Sequence, residues 1–234
     1  TRMVLTMIAI ALGIAILIIM MATSAGLKKM VLSEIDFYGS DMINIETRVP
    51  GKSSTDSVSD FAKGVVVTTF KNKDVEKLKK HENVESAYSY VTGQEIIKYK
   101  GENRSVLIFG YGADAPKVEK LDIGEGRFYT EEEETTASLV IVLGYELKEN
   151  LFGDNDAISK TVYVKNLPFK VVGVAKKRGG SLSMSLDSIA YIPTITMQKK
   201  ILGTDYVLGA AIKVKDVSKL DETKDDIIYI MREE

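Results

Sequence analysis

The hydrophobic pattern opens with an uninterrupted apolar run, Met3–Leu27, rich in Ile, Leu, Met and Ala and free of formal charge. Its residues, about 25 at roughly 1.5 Å each, make a helix that reaches across a hydrocarbon core of about 30 Å with some tilt. A cleaved signal sequence is the rival reading, because Ala22-Thr-Ser-Ala25 offers small residues of the kind such cleavage needs. The apolar region of a signal sequence spans only ~7–15 residues, so length favours a membrane anchor.

From Glu34 the period changes. Met42-Ile-Asn-Ile-Glu46 alternates as a half-buried strand does. The small-polar run Pro50–Ser59 lacks the apolar surface to order itself and predicts a loop. Asn72 is placed to cap a short helix with Val75 and Leu78 inward and Lys77, Lys79 and Lys80 in water. Val84–Lys100 and Arg104–Gly112 then carry β-branched and aromatic residues on either side of Gly101-Glu-Asn, a hairpin.

A second set of signals starts near Asp114. A Gly-Glu-Gly bend falls at 124–126, an acid run at Glu131–Glu134, and an apolar strand at Leu139–Leu143. A helix through Glu146 and Leu147 follows, with Gly153 as its left-handed stop. Thr161–Lys165 and Phe169–Ala175 flank Asn166-Leu-Pro as another hairpin, and Ser188–Pro193 reads as a short strand. Val207–Val214 is an apolar strand, and Ser218–Met231 an amphipathic helix with Leu220, Ile227, Ile228 and Met231 on one side. A strand and helix returning at the end would complete the βαβ-like half begun before residue 112, which makes the middle block an insertion.

Composition narrows the function classes. A net charge of −2 with acids and bases interspersed removes the electrostatic footprint of a nucleic-acid binder. The chain has no cysteine, which suits an extracytoplasmic location without demanding it and leaves no lipoprotein attachment site near Ala25. Arg2 on one flank of the apolar run and Lys28-Lys29 on the other nearly cancel as orientation signals. Because the sequence opens on Thr, it is expected to be a segment of something longer.

Candidate chemistry is thin. The single histidine, His81, ends a lysine-rich helix and reads as a solvated terminus, which removes most histidine-based metal sites and any serine triad. Gly51-Lys52-Ser53 is similar to the end of a phosphate-binding loop, but the first glycine of that loop would fall at Glu46. Lys176-Lys-Arg-Gly-Gly180 could offer cations and amides to a phosphate or lipid head group, against the plainer reading of a basic turn. Glu131–Glu134 diverge on a helix and read as an N-terminus capped by Thr130 and Glu133, not as a calcium site. Asn103-Arg-Ser105 fits the N-glycosylation pattern, which matters only in a glycosylating host. No catalytic, cofactor-binding or metal residue is therefore assigned.

The order of segments resembles the permease of the MacB/FtsX-like group of ABC transporters, as its first transmembrane helix followed by the MacB-like extracytoplasmic core domain. The likeness is carried by Leu5-Thr-Met-Ile-Ala-Ile-Ala-Leu-Gly-Ile14, Gly124-Glu-Gly-Arg-Phe128, Val140-Ile-Val-Leu-Gly144 leading to Leu151-Phe-Gly153, Phe169-Lys-Val-Val-Gly-Val174, and Ala190-Tyr-Ile-Pro193 with Ile201-Leu-Gly203. Each piece is common, and their order and spacing are not. One departure is Ser159-Lys160, where the family usually has glycine-lysine.

The resemblance implies an α+β fold: a transmembrane helix and its extension over 1–33, a porter-like βαβ subdomain over 34–112 plus 205–234, and a mostly β, Sabre-like insertion over 113–204. It implies a cytoplasmic N-terminus and an extracytoplasmic core in the cell membrane. It also implies no enzyme activity and no cofactor in this segment, with ATP bound by a partner ATPase. The function it implies is mechanotransmission of ATP-driven motion for export or extraction of a substrate. The partners are a cytoplasmic ABC ATPase, a second permease copy, the lipid bilayer and an extracytoplasmic accessory protein, for which Lys176–Ser185 is a flexible candidate contact. Three more spans are expected downstream of Glu234. A single-span receptor or sensor ectodomain is the alternative, distinguished by the absence of those spans. A pilin-like subunit is disfavoured because no glutamate occurs in positions 1–33.

Overall fold

The computed structural model describes residues 2–38, 41–47, 68–119, 121–178, 180–181 and 184–232. The predicted loop at 50–59, and with it Gly51-Lys52-Ser53, lies outside the described residues. The chain divides into two units, residues 1–40 and 41–234. The first is a single helix, α1 (Arg2–Tyr38), of 37 residues. Its stretch Ile10–Lys28 is long and apolar enough to cross a membrane and buries nothing, with Ile16, Leu17, Ile18 and Ile19 all more than half exposed. A helix of this length that is apolar on every side has the composition of a membrane span.

The second unit is α+β, built on one mixed nine-stranded sheet. Its main path runs β1 (Met42–Glu46), β11 (Gly209–Val214), β2 (Val84–Tyr99), β3 (Glu102–Tyr111), β10 (Ala190–Pro193), β5 (Val140–Leu143), β7 (Leu167–Ala175), β4 (Ile123–Gly126). β6 (Thr161–Val164) pairs both β2 and β7, while β8 (Gly180–Ser181) and β9 (Met184–Ser185) form a separate ladder. β1 and β2 both run antiparallel to β11, so they are parallel to each other with α2 (Asn72–Leu78) between them in sequence: a split βαβ. β11, followed by α7 (Leu220–Arg232), lies between β1 and β2 in the sheet. Strands from the flanking and central segments meet along β3–β10, which is parallel, and along β2–β6.

Both faces of the sheet are packed. On one side α2, α5 (Tyr145–Phe152) and α7 cover a core that includes Leu78, Ile97, Ile108, Ile141, Phe169 and Ile212, each fully or almost fully buried. On the other, α3 (Ala115–Val118), β4 and the segment up to α4 (Glu131–Thr135) hold Leu121, Ile123, Phe128 and Tyr129 against Val140, Val142 and Tyr191. A short helix, α6 (Thr194–Thr196), continues as a π-helix through Met197–Leu202 and stops at Gly203 with φ +70°.

Several local expectations move by a residue or two. The β2–β3 hairpin turns at Lys100-Gly101, with φ +45° and +95°, so the two-residue turn falls earlier than Gly101-Glu-Asn. The β6–β7 hairpin turns at Lys165-Asn166, with φ +50° and +64°, and Pro168 sits inside β7 opposite Tyr163. The cap of α2 is Lys71, whose backbone N–H donates to Asp74 Oδ2 at 2.8 Å. Asn72 is the first helical residue and ties α2 to its surroundings instead: its amide donates to Gln198 Oε1, and its carbonyl accepts from Ser89 Oγ, both at 2.8 Å. On α7 the inward residues are Thr223 and Ile227, with Ile230 and Met231 alongside, whereas Ile228 is turned outward.

Candidate functional site

The most concentrated polar chemistry inside the core domain lies where α3 and its continuation cross the sheet. Alternation along β2, β3 and β10 places Tyr88, Tyr111 and Tyr191 on one face, with Tyr88 and Tyr111 ring centroids 4.9 Å apart and Tyr111 and Tyr191 5.4 Å apart. Glu119, just past α3, accepts a hydrogen bond from the Tyr88 hydroxyl and lies 4.0 Å from Arg178 Nη1. The Arg178 backbone N–H donates to Asp187 Oδ1 at 2.8 Å. Burial raises the Glu119 carboxyl above its usual range, opposed by the Tyr88 hydroxyl and by Arg178. Burial likewise pushes the Tyr88 and Tyr111 hydroxyls well up, so these phenols stay neutral at physiological pH. Tyr129 is fully packed and its hydroxyl sits 3.0 Å from the carbonyls of both Tyr111 and Ile192. Neutral phenols, one carboxyl and one guanidinium offer no nucleophile poised beside a base. The cluster bolts the covering segment to the sheet.

The residues singled out in the sequence scatter. His81 is not a solvated helix end: its Nε2 lies 3.1 Å from Asp226 Oδ2 on α7 and its Nδ1 accepts the Asn83 N–H at 3.3 Å. Glu131–Glu134 begin α4 under Thr130, and the reciprocal cap is present, with Glu133 Oε2 accepting the Thr130 N–H at 2.9 Å. Their carboxylates diverge. Glu133 takes a two-point contact from Arg127, 2.7 Å on each oxygen, which holds its carboxyl down at about 2. Glu134 turns inward and accepts the Ala113 N–H at 2.6 Å, and burial pushes it up to about 6.

The basic stretch at 176–180 does not act as one unit. The Lys176 N–H donates to Asp122 O at 2.9 Å, Lys177 Nζ stands 5.7 Å from the Tyr145 ring centroid, and the Arg178 side chain turns inward toward Glu119. Within the proposed contact 176–185, residues 179, 182 and 183 lie outside the described residues. Asn103 is exposed near the start of β3. Sequence reasoning missed the Tyr88–Glu119–Arg178 cluster and the His81–Asp226 pair. The tyrosines at alternate strand positions marked an aromatic face, but nothing local marked which acid would be drawn onto it.

A helix long and apolar enough to cross a membrane, followed by a mixed-sheet α+β domain, defines the class: a folded core domain joined to a candidate membrane span. More narrowly, the chain belongs to the MacB-like periplasmic core domain family, whose model matches residues 3–229. It is 29% identical over 97% of its length to the macrolide export ATP-binding/permease protein MacB of Wolinella succinogenes, and 25% identical over 97% of its length to the pyoverdine export ATP-binding/permease protein PvdT of Pseudomonas aeruginosa. The chain spans about a third of those relatives, 34% and 33% of their lengths. Among solved structures, the periplasmic region of MacB from Actinobacillus actinomycetemcomitans matches with a TM-score of 0.73 at 20% identity, covering 87% of this chain and 88% of that one. The extracellular domain of the transporter YknZ from Gram-positive bacteria matches with a TM-score of 0.61 at 21% identity, covering 77% and 88%.

Proposed function

We propose that this chain is the first transmembrane helix and extracytoplasmic core of an ABC transporter permease, and that it transmits ATP-driven motion for export or extraction of a substrate without catalysis of its own. In this reading the N-terminus is cytoplasmic and ATP is bound and hydrolysed by a cytoplasmic ABC ATPase, as a subunit or a domain. A second permease copy pairs with the first in the bilayer, and an accessory protein meets the core outside. The core works as two parts, residues 34–112 plus 205–234 and residues 113–204, which move as levers on a shared sheet.

The observation that carries the reading is the length and continuity of α1. Its 37 residues span about 55 Å. That is well beyond a hydrocarbon core of about 30 Å, so the helix continues past the apolar stretch by residues 29–38. It has no proline and two glycines, Gly13 and Gly26, so nothing in it forces a hinge. A stiff rod that outlasts the membrane is what transmission of movement requires.

The test is a flexible Gly-Ser-Gly-Ser insertion after Tyr38 in the complete transporter. ATP hydrolysis is expected to stay within about twofold of the parent while export falls about tenfold or more. Undiminished export through a flexible joint would remove rigid transmission. The relatives' names make macrolide and pyoverdine export the first transport assays to run.

A further inference from the structure

The connector that runs from β10 to β11 contains the one π-helical stretch among the described residues. It begins as α6 and widens from Met197 into a turn closed by the Gly203 N–H, which donates to Gln198 O, five residues back, at 2.8 Å. The Thr204 N–H donates to the same oxygen at 3.1 Å. A π turn holds one residue more than an α turn needs, and it persists where contacts outside the helix support it. Here the surplus faces water, because Lys199 and Lys200 are exposed while Met197, Gln198 and Ile201 are buried.

Two sets of contacts support this turn. At its start, Met197 lies in a slot on the sheet: a Cβ on Gly110 would fall 2.6 Å from Met197 Cβ, and one on Gly93 2.6 Å from Met197 Cε. Thr194 Oγ1, 3.0 Å from both Ser89 O and Gly110 O, and Thr196 Oγ1, which donates to Ser138 O at 3.0 Å, fix the residues before it. The second set is a chain of amides. Ser89 Oγ on β2 donates to Asn72 Oδ1 on α2, Asn72 Nδ2 donates to Gln198 Oε1, and Gln198 Nε2 donates to Tyr206 O, each at 2.8 Å. Each amide accepts on one side and donates on the other, so the chain has a direction and its members support one another. Gln198 is almost fully buried, and losing either partner leaves a buried polar group unpaired.

We propose that the π turn Met197–Leu202 is one residue of slack that works as a register latch on α2. In the seated register Gly203 bonds Gln198 O and the amide chain holds α2 to the connector. When the turn tightens to α geometry, Leu202 takes Gln198 O and the chain beyond advances by one residue. Tyr206 O then leaves Gln198, and the hold on Asn72 weakens. Met197 stays in its glycine slot throughout, so the change passes to α2 and not to the sheet. Packed elements move by such discrete shifts because a close-packed contact has separate seats, not a continuum of them. The latch is independent of the transmission reading: α2 has this second register whether or not α1 drives the core.

Native-state amide exchange of the full chain in detergent, resolved to single residues, tests this. In the parent, the amides of Gly203, Thr204 and α2 are expected to open together and more readily than those of β2. Deleting Lys200 removes the slack and leaves an α turn that keeps Gln198 and Ile201 inward, so exchange in α2 is expected to slow about threefold or more. Asn72→Ala breaks the amide chain and is expected to speed exchange at α2, Gly203 and Thr204 about tenfold, with β7 and β11 within about twofold of the parent. A change that merely destabilises cannot slow exchange, so the opposite signs separate a latch from ordinary packing. A deletion that leaves α2 exchange unchanged or faster, or that unfolds the domain, would overturn the slack. An Asn72→Ala variant in which Gly203 and Thr204 keep the parent's rates would overturn the link to α2.

Discussion

At the scale of single residues, Ser159 stands in a backbone conformation that suits glycine better than serine. Ser159 sits at φ +62°, exposed, with its N–H donating to Val171 O at 2.8 Å, so the position needs the left-handed conformation that glycine adopts without cost. Ser159→Gly is expected to raise stability by about 0.5–1 kcal/mol in chemical denaturation, the relieved strain exceeding the added freedom of the unfolded chain. Glu134 gives a pH-dependent counterpart. Its carboxyl is raised to about 6 by burial, against the Ala113 N–H and Lys79, which pull it down, and Asp114 and Glu76, which push it up. A carboxyl raised in the folded state favours folding when protonated, so its contribution is lost as pH climbs from the unfolded value of about 4.5 through about 6. For this half-buried side chain the loss is about 1 kcal/mol. Glu134→Gln is therefore expected to gain on the parent by about that amount between pH 4.5 and 7.5 in a stability–pH series, and a difference that does not change with pH would refute the assignment. The glycine-lysine departure was legible at Ser159 because backbone preference is a property of the residue itself. The raised carboxyl was not, because it depends on burial by residues that arrive from other elements.

At the scale of elements, alternation located β1, β-branched and aromatic residues located β2, and apolar runs located β5 and β11, each within a few residues, since each buries one or both faces and its pattern records that. Turns were placed less well: Lys100 and Lys165 adopt positive φ although neither is a residue chosen for it, and the register of long strands decides where the chain reverses. The cap of α2 was misplaced for a related reason. Asn72 fits a cap by type, but its side chain meets Gln198 and Ser89, distant in sequence, and Asp74 satisfies the helix end instead. The paired motifs Gly124-Glu-Gly126 and Phe169–Val174 acquire a cause in the β4–β7 contact, where Gly126 pairs with Gly173. A Cβ on Gly173 would lie 2.3 Å from Arg127 O, and one on Gly126 2.3 Å from Val172 O. Both clashes are with backbone, which cannot rotate away. Gly173→Ala is expected to destabilise the domain by about 2–4 kcal/mol in urea unfolding. It should also raise amide exchange in β4 first, because among the described residues that edge strand pairs with β7 alone.

At the scale of the whole molecule, the proposed two-part working of the core and its single sheet make opposing demands. Working levers need some independence, yet the central and flanking segments share β3–β10 and β2–β6 ladders and one hydrophobic core, in which Ile97 and Ile108 of one segment pack with Val164, Phe169 and Ala190 of the other. Shared backbone hydrogen bonds and a shared apolar core couple the opening of one segment to that of the other, because separating them exposes buried surface on both. The Asp41–Glu234 unit is therefore expected to unfold in one transition. Native-state hydrogen exchange under increasing urea checks it: amides of β11, from the flanking segment, and of β7, from the central one, should converge on the same opening free energy. Convergence at two distinct free energies would mean that the shared ladders do not couple the parts. Movement between them would then be a hinge with its own equilibrium, not a rotation of one elastic body driven through α1.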